Sequence, residues 1–311
     1  MEPKYHISEL IQQEWQRPVN EITRKAAEDI ARKYGDSVVA VLFYGSCLRT
    51  GEVEDRILDF YVIVDDYWKA YGKSWLARGN QLIPPNVFYH EIEIDAVVTR
   101  SKYAVISLDD FESRVQDDCL NVSIWARFCQ PTVPLLVEDK SVGLRLQRAI
   151  QQACLTMLAN ALPMVEGHVS SDSLWVEAFN RTYASEVRSE PEGKGLEIYE
   201  LDKKRYDEFY DALANQLLET TNYNRDARPE DKLADRKVGQ KLWKKRARNG
   251  KIVSILRLMK ASMTFDGGID YLAWKIKRHS GVEIEVTERM RRFPIISGLL
   301  VFMKMRGKAF K

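Results

Sequence analysis

The sequence lacks an apolar run long enough to cross a bilayer, and it is poor in metal-binding cysteine and histidine. Its most apolar run, residues 293–303, has 11 residues, whereas a spanning helix needs about 20. The four cysteines show neither metal-ligand spacing nor a Cys-x-x-Cys pair, which predicts free thiols in a reducing compartment. The four histidines have no partner residues nearby in the sequence, so no role is predicted for them.

The start of the sequence does not have the pattern of a targeting segment. The first 13 residues contain acids and no apolar stretch, so we expect neither a signal peptide nor an arginine-rich presequence. The 311 residues, 45% of them hydrophobic, are enough for one large domain or two of ordinary size.

The charge is distributed unevenly along the chain. Residues 241–311 contain 18 Lys and Arg against 5 Asp and Glu, a charge of +13, so residues 1–240 carry −11 of the total of +2. Trp243 and Trp274 stand among these basic residues. This pattern predicts basic helices that meet an anionic partner, either nucleic acid or an acidic membrane, and the interleaved apolar residues favour the membrane.

The segment from Val38 to Asp66 carries the strongest local signal. An apolar run, residues 38–44, predicts a strand buried on both faces, and Gly45 and Ser46 end it. A second apolar strand, residues 57–64, contains one acid, Asp59. A buried carboxylate needs a metal ion, a hydrogen-bonded partner or a position facing a cleft.

Gly-Ser followed about 13 residues later by an acid in a second strand resembles the nucleotidyltransferase superfamily. In that superfamily the turn holds the triphosphate and the acid holds Mg²⁺. The superfamily's usual second acid is replaced here by Tyr61, and Glu93 or Asp95 on a third predicted strand could supply it. The alternative reading is a structural turn between two core strands, with Asp59 in an ion pair.

The rest of the chain divides into an α/β part and a helical part. We expect a helix capped by Asn20 and ended by Gly35, and another opened by a capping box at Ser107. Further predictions are a helix at 67–78, strands at 87–98 and 103–106, and an exposed connection at 127–134. Beyond residue 134 the strand signals stop, and helical periodicity continues to about residue 278, with one helix ended by Pro163.

Several short motifs, in order from about residue 40 to 280, resemble the mitochondrial-type phosphatidate cytidylyltransferases, also called translocator assembly and maintenance proteins. That family too has an aromatic or apolar residue where Tyr61 stands. Glu186 replaces an Asp of the family, and Ala126 and Gln130 also depart from its pattern. The matching residues are Tyr44-Gly45-Ser46, Leu58-Asp59-Phe60, Val64-Asp65-Asp66, residues 102–107, Arg127 with Pro131, Tyr183 with Glu186 and Arg188, and Arg257, Lys260, Thr264, Gly267 and Gly268.

The resemblance implies an α/β nucleotidyltransferase domain at 1–130, a mostly helical domain at 131–240, and a basic amphipathic region at 241–311 that contacts the membrane. It implies transfer of CMP from CTP to phosphatidate, giving CDP-diacylglycerol and pyrophosphate with Mg²⁺, by a peripheral protein on the inner face of the cell membrane. Residues beyond about 285 have no counterpart that we can name.

The resemblance also implies roles for individual residues. Asp59 would be the metal ligand and, with Ser46, the catalytic residue. Gly45, Ser46 and Lys102 would bind the nucleotide. The expected phosphate or substrate contacts are Arg127, Tyr183, Glu186 and Arg188.

Two other functions stay open at the level of sequence. One is a nucleotidyltransferase that acts on another small molecule or on a protein. The other is a nucleic-acid-binding protein with a lapsed catalytic site, suggested by Tyr61 and by the basic C-terminal region.

Overall fold

The computed structural model of the chain describes residues 5–53, 56–94, 97–185, 193–221, 229–264, 285–288 and 290. Within them a mixed five-stranded sheet lies among helices. The strands are β1 (Val38–Tyr44), β2 (Ile57–Val64), β3 (Asn86–Ile94), β4 (Val97–Ser107) and β5 (Thr132–Val137). The helices are α1 (Ile7–Trp15), α2 (Glu21–Arg32), α3 (Ser46–Thr50), α4 (Tyr67–Tyr71), α5 (Trp75–Leu82), α6 (Leu108–Ser113), α7 (Trp125–Phe128), α8 (Lys140–Ala161), α9 (Ser171–Ala184), α10 (Lys194–Leu201), α11 (Lys203–Thr221) and α12 (Pro229–Thr264).

The strand order is β3-β4-β2-β1-β5. β2 and β4 run parallel, and the other three pairings are antiparallel. Both faces of the central strands are covered: Ala40, Leu42 and Tyr61 belong to the core shared with α8 and α9, while Val41 and Phe60 pack with residues of α2. This double burial explains the unbroken apolar runs of β1 and β2.

Several sequence predictions are confirmed. The side chain of Asn20 caps α2 by accepting from the backbone N–H of Ile22 at 2.8 Å, and Ser107 caps α6 by accepting from Asp110 at 3.2 Å. α8 ends at Ala161, two residues before Pro163. Among the described residues beyond β5 there is no further strand.

Other predictions are wrong in instructive ways. The strand expected at 87–98 is a hairpin of β3 and β4, and the strand expected at 103–106 is the second half of β4. The helix expected at 67–78 is two helices, separated at Gly72, which has a φ of 63°. The exposed connection expected at 127–134 contains the end of α7 and the start of β5, and Phe128 and Val133 are buried.

The two expected domain boundaries, after residues 130 and 240, fall within structural units of the described chain. The boundary after residue 130 precedes β5, which is an edge strand of the sheet, so the sheet extends beyond it. The boundary at 241 falls inside α12. Trp243, which the sequence pattern grouped with membrane-facing aromatic residues, is 4% exposed and packs against Trp125.

No helix in the described part of the chain is long and apolar enough to cross a membrane. Trp274 and the apolar run at 293–303 lie outside the described residues, as do Asp95, Glu186 and Arg188.

Candidate functional site

A cleft of about 240 Å³ lies where β1 ends and β2 begins, and α7 and α9 also line it. It brings together five of the residues for which the sequence predicts a role in the site. These are Gly45, Ser46, Asp59, Arg127 and Tyr183, and the other lining residues are Tyr44, Arg49, Ser123, Ala126, Gln130 and Thr182. The cleft thus collects predicted site residues that are up to 138 positions apart in the chain.

Gly45 lies against the carboxylate of Asp59 because the strand register pairs Tyr44 with Asp59. With φ 92° and ψ −162°, Gly45 occupies a backbone region that is essentially restricted to glycine. A Cβ atom placed on Gly45 would stand 2.9 Å from Oδ2 of Asp59. Glycine is therefore required here both for the turn and for space in front of the acid.

We expect Gly45→Ala to lower the free energy of unfolding by about 1–3 kcal/mol, because it adds backbone strain and displaces Asp59. Gly51→Ala is the matched control: Gly51 also has a positive φ, 74°, but a Cβ there meets nothing within 4 Å. The control should therefore lose less stability than Gly45→Ala. Urea unfolding of both variants measures the difference, and equal losses would contradict the close approach to Asp59.

Asp59 is half-buried, and its neighbour on the other side is Lys102 of β4. Paired residues of parallel strands lie about 4.8 Å apart and point to the same face. Lys102 is itself half-buried, and the strand register places it beside Asp59. It does not line the cleft, although the sequence predicts that it binds the nucleotide. This position suits a cation that balances the carboxylate.

Arg127 is held on the cleft wall by two aromatic rings and two hydrogen bonds. Its guanidinium carbon lies 5.5 Å from the ring centre of Tyr44 and 5.9 Å from that of Tyr61. Its Nη1 donates to the Tyr61 hydroxyl at 3.2 Å and to the Ser123 carbonyl at 3.1 Å. The hydroxyl and ring of Tyr61 thus orient a cation at this wall of the cleft.

Sequence reasoning missed Arg49, which lines the cleft and donates to Oε1 of Gln130 at 3.0 Å. The available signal was its position three residues after Ser46, in the short helix that follows the turn. Arg257 of α12 supports the same wall, because its Nη1 donates to Oγ of Ser123 at 2.6 Å.

The thiol of Cys47, next to Ser46, is unsuited to nucleophilic chemistry. Burial, followed by the negative charge of Asp59, raises the pKa of this thiol above its usual value. Its Sγ also donates to the carbonyl of Ile57 at 3.3 Å. Cys47 is therefore a structural residue of the turn.

A magnesium site would depend mainly on Asp59, the one carboxylate among the described residues of the cleft wall. Glu93 is exposed on the edge strand β3. From the registers it lies about 16 Å from Asp59, two strands across and four residues along. No group of three or more His, Cys, Asp or Glu side chains in the described residues could hold a metal ion.

One carboxylate nevertheless fits Mg²⁺ that arrives bound to a nucleotide. Mg²⁺ often takes one or two protein carboxylates together with substrate phosphates and water. The absence of a side chain at Gly45 leaves the space beside Oδ2 of Asp59 open.

No protein-family model matches the chain, and no curated protein matches it. The family resemblance therefore depends on the short motifs quoted above.

Proposed function

We propose that the protein is a nucleotidyltransferase that transfers CMP from CTP to phosphatidate, giving CDP-diacylglycerol and pyrophosphate. The observation that carries the proposal is the single cleft in which Gly45, Ser46, Asp59, Arg127 and Tyr183 meet. We propose that residues 38–107 have the fold of a nucleotidyltransferase domain. In this segment Asp59 on β2 lies beside the turn that follows β1.

The charges of the cleft suit a metal–triphosphate complex. Arg49 and Arg127 offer guanidinium groups, which bind phosphate oxygens through directed hydrogen bonds. Asp59 would hold the Mg²⁺ that neutralises charge on the triphosphate. The open backbone at Gly45 and Ser46 would lie against the phosphates.

The reaction needs orientation more than proton transfer. A phosphate oxygen of phosphatidate attacks the α-phosphorus of CTP, the bond from that phosphorus to the bridging oxygen breaks, and pyrophosphate leaves with the electron pair. The attacking oxygen is already ionised near neutral pH, so the cleft needs no strong general base. Arg49 and Arg127 would hold the phosphates in line and stabilise the charge on the leaving group.

The two alternatives predict different labelled products. A nucleotidyltransferase with another substrate would label a small molecule or a protein, and a nucleic-acid-binding protein with a lapsed site would label nothing. Separate incubations with labelled CTP, ATP, GTP and UTP, each with phosphatidate vesicles and with a protein mixture, distinguish them. Our proposal expects label from CTP to enter lipid, and transfer of label to protein would favour the first alternative.

Docking on an anionic membrane is the second part of the proposal. Residues 241–264 contain eight Lys and Arg and no acid. Lys241, Lys245 and Arg248 are exposed at helical spacing on α12, and the exposed side chains of Val238 and Ile252 continue the stripe. A basic and apolar stripe on one helix suits the surface of an acidic bilayer, which supports a peripheral location.

We expect the triple variant Lys241→Gln, Lys245→Gln, Arg248→Gln to bind acidic vesicles about 100-fold more weakly, since each lost charge near the surface costs about 1 kcal/mol. The control neutralises three exposed basic residues elsewhere, Lys140, Arg148 and Lys204. Vesicle cosedimentation at low and high salt measures the binding. Equal binding of the triple variant and the wild-type protein would exclude docking through this stripe.

A further inference from the structure

A second, larger cavity lies away from the cleft, between the end of α8, the end of α11 and α12. Its volume is about 730 Å³, and it shares no lining residue with the cleft. Much of its wall is apolar, formed by Leu162, Pro163, Val165, Leu242 and Trp243. This size and composition are typical of pockets for organic ligands.

One cation, Arg246 of α12, is buried in the wall of this cavity and is only 1% exposed. Its Nη2 donates to the carbonyl of Asp117 at 3.0 Å. Its Nε and Nη1 are also buried, and neither has a hydrogen-bond partner in the described part of the chain. Arg246 forms no ion pair with any acid among the described residues.

Two indole rings offset part of the free-energy cost of burying this charge. The guanidinium carbon of Arg246 lies 5.4 Å from the ring centre of Trp243 and 5.8 Å from that of Trp125. Burial, opposed in part by the charges of Cys119 and Asp117, lowers the pKa of Arg246 to about 10. The group is therefore still protonated at neutral pH, and a buried cation without a counter-ion is strongly unfavourable.

We propose that this cavity binds an amphiphilic monoanion: a carboxylate carried on an apolar body, with the carboxylate at Arg246 and the body against the apolar wall. Arg246 is the buried cation of the described cavity wall, since Arg236, which also lines the cavity, is half-buried and forms an ion pair with Glu166. A single unpaired buried cation matches a single negative charge. A phosphate monoester would add a second charge, and the two acids of the cavity, Asp117 and Asp235, are exposed at its rim and would repel it. This site is separate from the cleft, so its occupancy does not depend on the proposed transferase activity.

The test uses the full-length protein and four probes below the concentrations at which they aggregate: laurate, dodecanol, dodecyl phosphate and acetate. Laurate supplies both charge and body, dodecanol only the body, and acetate only the charge. We expect laurate to raise the melting temperature in a saturable way and to bind at least about tenfold more tightly than each of the others. Isothermal titration calorimetry gives the affinities.

Arg246→Met should weaken laurate binding about tenfold or more and leave dodecanol binding unchanged. Arg148→Met, which removes an exposed guanidinium from α8 outside both the cavity wall and the basic stripe, is the matched control and should bind laurate like the wild-type protein. If Arg246→Met does not fold, the relative affinities of the four probes for the wild-type protein still test the proposal. Equal effects of laurate and dodecanol, no effect of laurate, or tighter binding of dodecyl phosphate would each overturn the proposal.

Discussion

Asp59→Asn is expected to lower transfer of CMP to lipid by at least about 100-fold, because it removes the one carboxylate of the described cleft wall at nearly constant shape. The fold should survive, since asparagine occupies the same volume beside Gly45. Initial rates with labelled CTP, compared with the circular dichroism spectrum and the urea midpoint of the same variant, separate a loss of chemistry from a loss of folding.

The control for this substitution is Asp211→Asn, which makes the same change of charge at an exposed position on α11. It should keep the wild-type rate. Wild-type activity in Asp59→Asn would remove Asp59 from the mechanism, and with it the proposed magnesium site.

The second large effect concerns stability and depends on a buried ion pair. Glu14 of α1 and Arg205 of α11 are each under 5% exposed in their side chains, and Arg205 donates to both carboxylate oxygens of Glu14. Glu14 also accepts from the backbone N–H of Thr132 at 3.0 Å, and Arg205 donates to the carbonyl of Cys129 at 2.9 Å. The pair therefore holds the segment between α7 and β5.

We expect Glu14→Ala to lower the free energy of unfolding by about 3–5 kcal/mol, because it leaves the charge of Arg205 buried without its partner. Gln13→Ala, on the exposed side of the same helix, should change it by less than about 0.5 kcal/mol. The double variant Glu14→Met, Arg205→Met should regain part of the loss, since apolar side chains can replace a buried pair. Urea unfolding measures all three variants. A loss below about 1 kcal/mol for Glu14→Ala would contradict the prediction, because it would mean that the buried pair contributes no more than an exposed ion pair.

The elements that the sequence predicted well carry strong local signals. β1 and β2 are continuous apolar runs, and α2 has both its Asn20 cap and a regular apolar stripe. The proximity of Gly45, Ser46 and Asp59 follows from one turn and one strand pairing. These features depend on few residues that are close in sequence, so periodicity and turn chemistry are sufficient to find them.

The remaining features depend on contacts between distant residues. β5 was missed because Pro131 and Pro134 mark it as a loop, although proline is tolerated on an edge strand such as this one. In the sequence, nothing distinguishes Trp243 and Arg246 from the exposed residues around them in the basic region. Only the packing of α12 against Trp125 shows that they are buried.

The candidate site shows the same division. A short motif is enough to predict that Arg127 contacts phosphate, but only the fold shows its contacts with Tyr44 and Tyr61. The idea that Glu93 completes the metal site finds no support in the registers, which place it two strands from Asp59. An alternating strand pattern gives the face of a residue but not its distance along the sheet.

The most direct test of the central claim is incubation of the pure protein with CTP labelled at the α-phosphate, Mg²⁺ and phosphatidate vesicles. We predict a labelled lipid with the mobility of CDP-diacylglycerol and one pyrophosphate released per lipid formed. Formation of both should require phosphatidate and be lost in Asp59→Asn. If no labelled lipid forms while the wild-type protein is folded and binds the vesicles, the protein is not a phosphatidate cytidylyltransferase.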